Sequence, residues 1–506
     1  MTARYNIDGT CMFSDSGAIF PQLYEGSAAW GDYDNDGDLD LLLTGHSIDA
    51  TDGYRFTRIY RNDNGSFTAV ATALPAVYES SGAWGDYDND GDLDVLISGD
   101  SSGGKLCRVY ANTGDDVFTN INAGLANIDE GKAVWGDYDN DGYLDILLSG
   151  NGSTHLYHNN GDGTFPNSGA SLQALTGATV AWGDYDVDGD LDAIVCGYSG
   201  TRHTCLYRND AGTFSLVSDE VFVDVYYGAL AWGDYDNDGR PDLLLAGNSS
   251  NGAVAYVYRN QNGTSNTPPS APSGPTAITN GLAITMSWDA AADGQTPAAG
   301  LTYNLRVSTV PAGDDTMPCM AELTNGWRRL PEMGNAGHNT SWSLTGFQGG
   351  TSYYWSVQAV DAAFVGGAWA AEGVFVAPSA PSVTTLPASN ITATTADGGG
   401  TVTDEGDSPV ITRGCVWSTN AGPTLTHCDG VTTNGSGTGS FDSRLTGLVP
   451  AILTYHVRAY AVNGEGAGYG EDRTFSTLTT PPGNTLAFDG TSDYVQISDA
   501  DELDLT

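Results

Sequence analysis

The stretch AWGDYDNDGDLDLLLTG at residues 29–45 decides the fold, because it is not alone in the chain. It recurs as AWGDYDNDGDLDVLISG at 83–99, VWGDYDNDGYLDILLSG at 134–150, AWGDYDVDGDLDAIVCG at 181–197 and AWGDYDNDGRPDLLLAG at 231–247, a period of 47–54 residues. A second signature follows each copy: IYRN, VYAN, LYHN, LYRN and VYRN around Tyr60, Tyr110, Tyr157, Tyr207 and Tyr258. Most copies then add a G-x-F element, such as Gly65-Ser66-Phe67 or Gly212-Thr213-Phe214. One unit therefore reads as a short strand, an acidic turn, an apolar strand, an aromatic strand and a final strand.

Four short strands every ~50 residues without helical periodicity is the pattern of a β-propeller blade, so the fold class is all-β with five visible blades. The chain enters at residues 4–20 with what reads as the tail of a blade. That strand, near Cys11–Phe20, would pair with Tyr256–Asn260 if five blades close a ring; otherwise the five belong to a longer array. Five Trp residues, Trp30, Trp84, Trp135, Trp182 and Trp232, hold one place in the first strand of each blade and are expected to pack between blades.

The acidic turn carries the chemistry. Asp occupies positions 1, 3, 5 and 9 of a nine-residue stretch in every copy. These are Asp32, Asp34, Asp36 and Asp40, then Asp86, Asp88, Asp90 and Asp94, then Asp137, Asp139, Asp141 and Asp145. The fourth copy has Asp184, Asp186, Asp188 and Asp192, and the fifth Asp234, Asp236, Asp238 and Asp242. Position 6 is always Gly, while position 7 varies as Asp38, Asp92, Tyr143, Asp190 and Arg240, so its backbone carbonyl is the natural donor. Oxygen ligands at alternate positions around a sharp glycine turn suit a hard cation, and carboxylates this close repel without one. The expected cofactor is calcium, about one ion per loop. Position 12 is Leu43, Ile97, Leu148, Val195 and Leu245 in place of the bidentate Glu of an EF-hand, which sets the loop in a β-turn.

The formal net charge of −45, from 63 Asp+Glu against 18 Lys+Arg, excludes non-specific nucleic-acid binding and disfavours an anionic membrane surface. More than a third of the acidic residues stand in the five loops. No apolar run is long enough to span a membrane, and the first residues lack the charged and apolar regions of a signal peptide. Seven scattered Cys form neither a disulfide framework nor a zinc motif, although Cys196/Cys205 and Cys415/Cys428 are near enough in sequence to pair. There is no H-E-x-x-H, G-x-S-x-G or phosphate loop. His155 and His158, beside the Tyr157 strand, read as surface residues rather than ligands.

The run Trp-Gly-Asp-Tyr-Asp-Asn-Asp-Gly-Asp-Leu-Asp followed by an apolar strand resembles the FG-GAP/VCBS repeat, over about residues 1–265. That repeat builds the calcium-bearing blades of integrin α-subunit propellers and occurs in many secreted bacterial proteins. Such propellers usually have seven blades, so the resemblance implies that the five seen here are part of a seven-bladed array. Residues 266–275 read as a Pro/Ser/Gly linker. Residues 276–378, with strands around Trp288, Tyr303 and Tyr354, resemble a fibronectin type III domain of the immunoglobulin-like sandwich class. Residues 379–480, around Trp417 and Tyr455, resemble a second. Residues 484–506 resemble the truncated start of a laminin-G or concanavalin-like jelly roll.

This layout implies a secreted or cell-surface, calcium-binding and non-catalytic protein, expected to be a monomer, that binds an extracellular protein or a glycan in adhesion. The alternatives are a polysaccharide-processing enzyme of the lyase type, since some lyases use related propellers, and a purely structural extracellular stalk.

Overall fold

The structure, a computed structural model, describes residues 4–5, 11–12, 16–47, 54–218, 222–328, 331–450 and 454–479. Among these every regular element is a β-strand, and no helix is long and apolar enough to cross a membrane. The chain divides into two compact units, Met1–Ala377 and Pro378–Thr506. The stretch read as the start of a jelly roll, 484–506, lies outside the described residues.

In the first unit each repeat becomes an antiparallel meander. The first repeat has strands Leu23–Gly31, Asp40–Ser47, Arg55–Asp63 and Ser66–Ala69, and the second and fourth also have four. The third and fifth have three. In the third, Pro166 follows the G-x-F element; proline has no N–H for the ladder, and only an isolated bridge joins Tyr157 to Asn167. The second strand of each meander carries the apolar run, and in the first four repeats it is covered on both faces, as its unbroken hydrophobicity demands. Leu42, Ile59, Val95, Ile97 and Tyr110, from the first and second repeats, share one core cluster.

The repeats lock together through the Trp-Gly pair. A Cβ placed on Gly31 would lie 2.8 Å from the ring of Trp84, on Gly85 2.6 Å from Trp135, on Gly136 2.6 Å from Trp182, and on Gly183 2.6 Å from Trp232. Each glycine thus leaves room for the indole of the following repeat, which confirms packing as the role of these Trp residues. The exceptions fall at the two ends. Trp30 has no preceding glycine and is 50% exposed, against 7% for Trp182, and a Cβ on Gly233 would meet nothing within 4 Å. Leu244 of the fifth repeat is 47% exposed, whereas its counterpart Ile194 in the fourth is fully buried.

Of the two alternatives for Cys11–Phe20, pairing with Tyr256–Asn260 is not among the strand pairs of the described residues. Cys11–Met12 pairs with Arg4–Tyr5, and Gly252–Tyr258 pairs with Asp242–Ser249. Phe20 packs instead on its own repeat, with ring centroids 5.0 Å from Tyr60 and 5.3 Å from Phe67. Phe222 does the same in the fifth repeat, 5.1 Å from Tyr258. In the first and fifth repeats the segment before the first strand thus caps that repeat's own aromatic strand, which is why it resembles a blade tail.

The same compact unit holds two three-stranded sheets. One is Ser273–Asn280, Ala283–Asp289 and Ser341–Leu344; the other is Thr302–Ser308, Ser352–Val360 and Gly373–Val376. Trp288, Tyr303 and Trp355 meet in their shared core, and the Gln348 N–H donates to the Tyr353 hydroxyl at 3.0 Å. This layer rests on the acidic turns. The Thr345 N–H donates to Asn35 O at 2.9 Å, the Asn339 side chain to Asp86 Oδ2 at 2.8 Å, and the Asn266 N–H to Gly239 O at 3.0 Å. Asn266, the first residue of the stretch 266–275, also donates through Nδ2 to the buried Asp361 at 2.6 Å.

The second unit repeats the two-sheet plan around a core of Trp417, Phe441, Tyr455 and Val457. There the Val449 N–H donates to the Tyr455 hydroxyl at 3.1 Å. Cys196, Cys205, Cys415 and Cys428 are free thiols, so neither pair that sequence proximity suggested is bridged.

Candidate metal centres

Each acidic turn folds the same way because its backbone is fixed at two places. Position 4 is left-handed in all five copies, with φ of 57° at Asn35, 59° at Asn89, 58° at Asn140, 61° at Val187 and 57° at Asn237. The glycine at position 6 follows with φ of 80–98°. Asn tolerates the left-handed region, but Val187 is β-branched and strained there.

The carboxylates converge on a common centre. In the first loop Asp32 accepts the N–H groups of Asp36 and Gly37 at 3.1 and 3.0 Å, and Asp36 accepts that of Asp38 at 2.9 Å. Asp40 accepts the N–H of Tyr33 at 3.0 Å and of Asn62 at 2.8 Å. The third loop repeats this through Asp137, Asp141 and Asp145. One oxygen is left over: Oδ1 of Asp34, Asp88, Asp139 and Asp186, position 3 in four loops, is buried with no hydrogen-bond partner. A buried carboxylate oxygen without a donor is costly, and a cation at the loop centre satisfies it.

Electrostatics agree. Burial first and the neighbouring carboxylates second push Asp34 up to about 6. Burial is likewise the main cause that pushes Asp40 up to about 8, Asp184 to about 8, and Asp94 and Asp145 to about 9. A dication would reverse this preference and hold the groups ionised. The groups Asp32/Asp34/Asp36, Asp86/Asp88/Asp90, Asp137/Asp139/Asp141 and Asp184/Asp186/Asp192 each bring three ligand oxygens within 4.8 Å of one another. These donor sets fit an oxygen-seeking cation of the calcium class.

In the first, second and fourth loops the position 7 side chain bonds outside its own loop. Asp38 accepts the Asn64 N–H at 2.6 Å, and Asp190 accepts the Ala211 N–H at 2.8 Å. Asp92 and Asp190 also accept Asn35 and Asn140 from the preceding loop, at 2.8 and 2.7 Å. The fifth loop departs from the rest. Arg240 bonds Asp238, and Arg259 reaches Asp236 at 2.5 Å and Asp238 at 2.8 Å. Two guanidiniums bond that loop directly, whereas in the first and fourth loops a single one, Arg61 or Arg208, stands 4.0 Å from Asp34 or Asp186.

Two features escaped the sequence reading. The Asn two residues after each aromatic-strand Tyr ties successive repeats: Asn112, Asn159, Asn209 and Asn260 donate to Tyr33 O, Tyr87 O, Tyr138 O and Tyr185 O at 2.6–2.9 Å. Its invariance in all five copies was the available signal. The other is a cavity of about 390 Å³ lined by Tyr24, Glu25, His46, Tyr54, Arg55 and Tyr78, between the first and second repeats. Tyr24 stacks on His46 at 4.2 Å, and Arg55 lies 5.2 Å over the Tyr78 ring while pairing with Asp100 at 3.0 Å. Tyr24, Tyr78 and Tyr226 each stand six residues before a repeat Trp, a regularity that could have exposed this position.

The sequence matches the FG-GAP-like repeat four times, over residues 32–97, 86–148, 137–195 and 184–245. Each match runs from one acidic turn to the apolar strand of the next repeat, and the chain carries FG-GAP-like repeats accordingly. No curated protein matches it. Among solved structures it is similar to an Agrocybe aegerita lectin that recognises non-reducing terminal N-acetylglucosamine. The two are 18% identical with a TM-score of 0.28, over 47% of this chain and 66% of the lectin. It is also similar to the chicken CNTN1 FN1–FN3 domains, 12% identical, TM-score 0.22, over 59% of this chain and 98% of that one. A third is the sensor domain of the anti-sigma factor RsgI4 of Pseudobacteroides cellulosolvens, 25% identical, TM-score 0.16, over 20% of this chain and 98% of that domain.

Proposed function

We propose that the chain is a calcium-stabilised, non-catalytic extracellular binding protein. In this reading the five repeats are blades of a propeller, the two-sheet layers are fibronectin type III-like sandwiches, and the ligand is a glycan. The carrying observation is the division of labour between the two ends of the repeats. The acidic turns are covered by the first two-sheet layer through Thr345, Asn339 and Asn266, so their ions serve stability and meet no large substrate. The Tyr24–Tyr78 cavity offers what a sugar needs: aromatic faces for its C–H surface, and Glu25 and Arg55 for its hydroxyls. Tyrosines hydrogen-bonded to the backbone at Tyr353 and Tyr455 support the type III-like assignment.

A glycan array probed with the full chain, in calcium and in chelator, tests the reading. Binding to a defined set of glycans that is lost in Tyr78→Ala is expected. An array at background, or binding untouched by Tyr78→Ala, would overturn the assignment.

A further inference from the structure

The five loops are not equivalent, and the third differs in its nitrogen donors. At the position after the aromatic-strand Tyr, the first, fourth and fifth repeats carry Arg61, Arg208 and Arg259, and the second carries Ala111. The third carries His158. Its Nδ1 is buried without a hydrogen-bond partner and lies 3.1 Å from Asp139 Oδ2 and 3.4 Å from Asp145 Oδ1. Asp139, Asp145 and His158 each bring one ligand atom within 4.8 Å of the other two. With metal–ligand bonds of about 2.0–2.1 Å, a tetrahedral zinc site has ligand–ligand edges of about 3.3 Å. The two observed distances bracket that value.

An independent feature points at the same loop. His338, which follows the two-sheet layer's Gly337 turn, has a side chain only 5% exposed. Its Nδ1 is 3.2 Å from Leu301 O, and a carbonyl can only accept, so Nδ1 donates and Nε2 keeps its lone pair. That Nε2 has no hydrogen-bond partner and faces Asp137 Oδ2 at 3.8 Å. A buried lone pair set against a carboxylate oxygen is an arrangement that a cation stabilises. Among the described residues no imidazole stands within ion-pair reach of any other loop.

We propose that the third loop is a site for a borderline transition-metal dication of the zinc class, held by Asp139, Asp145 and His158, with His338 of the adjoining layer set against Asp137 of the same loop. Imidazole nitrogen suits zinc and its neighbours, whereas calcium takes oxygen ligands. The remaining loops offer oxygen alone and keep calcium. The inference rests on reading the loops as cation sites.

The test uses the full chain stripped with chelator, then dialysed against excess calcium with one equivalent of zinc, followed by elemental analysis. The expected result is one zinc per chain together with calcium. His158→Arg, which installs the residue three sister repeats carry, and His158→Gln should both lose the zinc, keep the calcium and melt cooperatively. Cobalt(II) in place of zinc should give intense visible absorption in the parent chain and lose it in either variant. Zinc displaced by calcium in the parent chain, or zinc retained equally by both variants, would overturn the proposal. Zinc bound without calcium anywhere would uphold it while removing the calcium reading of the other loops.

Discussion

Gly136→Ala and Gly233→Ala make the same chemical change at the same position of two repeats, and the structure gives them opposite signs. A methyl on Gly136 would sit 2.6 Å from Cδ1 and Nε1 of Trp182 and 3.0 Å from Cγ. Ordinary carbon contacts are ~3.5–4.0 Å, so the indole must retreat by about 1 Å. Trp182 is packed in a core with Tyr138, Leu147, Val180 and Tyr207 and has no room to do so. Overpacking of this kind costs about 1–3 kcal/mol, and the reduced freedom of the unfolded chain returns roughly 0.4–1 kcal/mol. A net loss of about 1–2 kcal/mol is expected. At Gly233 the methyl meets nothing, the backbone is not left-handed, and only the unfolded-state gain remains, so the variant should be stabilised by roughly 0.4–1 kcal/mol. Guanidinium unfolding of both variants in saturating calcium, followed by tryptophan fluorescence, measures the difference. If Gly233→Ala is destabilised as much as Gly136→Ala, a further repeat packs on that glycine, and the open end of the array described above is wrong.

Asn159→Ala removes donors 2.7 Å from Tyr87 O and 3.1 Å from Leu144 O at a fully buried position, and should cost about 1–3 kcal/mol in thermal or chemical unfolding. Asp36→Ala should lower calcium stoichiometry by one, and Asp38→Ala should leave it unchanged because that side chain bonds the Asn64 N–H outside the loop; titration calorimetry of both variants decides this. In chelator, the raised carboxyls of Asp34, Asp40, Asp94 and Asp145 favour the folded state only while protonated. Stability should therefore be highest near the unfolded carboxyl value of about 4 and decline as pH rises toward about 9. With calcium bound the ligands stay ionised, and melting temperature should instead fall on acidification.

Legibility in the sequence followed chemistry that repeats. Asp at positions 1, 3, 5 and 9 recurs in all five copies, so repetition exposes the acidic cluster, and the varying position 7 stands apart from it. Trp and Gly were visible as a pair, but that Gly136 seats Trp182 of the next repeat is a relation across 46 residues with no local trace. Ring closure stayed open in the sequence because Phe20 and Phe222 both precede a first strand, and a cap on the same repeat has the same pattern as a tail for another. The covering of the acidic turns was hidden for a different reason. Asn266, His338, Asn339 and Thr345 lie in irregular segments outside any repeat, and a Pro/Ser-rich stretch reads as a linker whether or not its ends are hydrogen-bonded. His158 read as a surface residue because its neighbours in other repeats are arginines; only the 3.1 Å approach to Asp139 distinguishes it.

Calcium titration of the chelator-stripped full chain, read by calorimetry and by the melting temperature of the same samples, tests the central claim most directly. The account predicts saturable uptake of about one ion per loop, weakest where Arg240 and Arg259 already occupy Asp236 and Asp238, with a rise in melting temperature that follows occupancy. No heat of binding and an identical melting curve with and without calcium would contradict it.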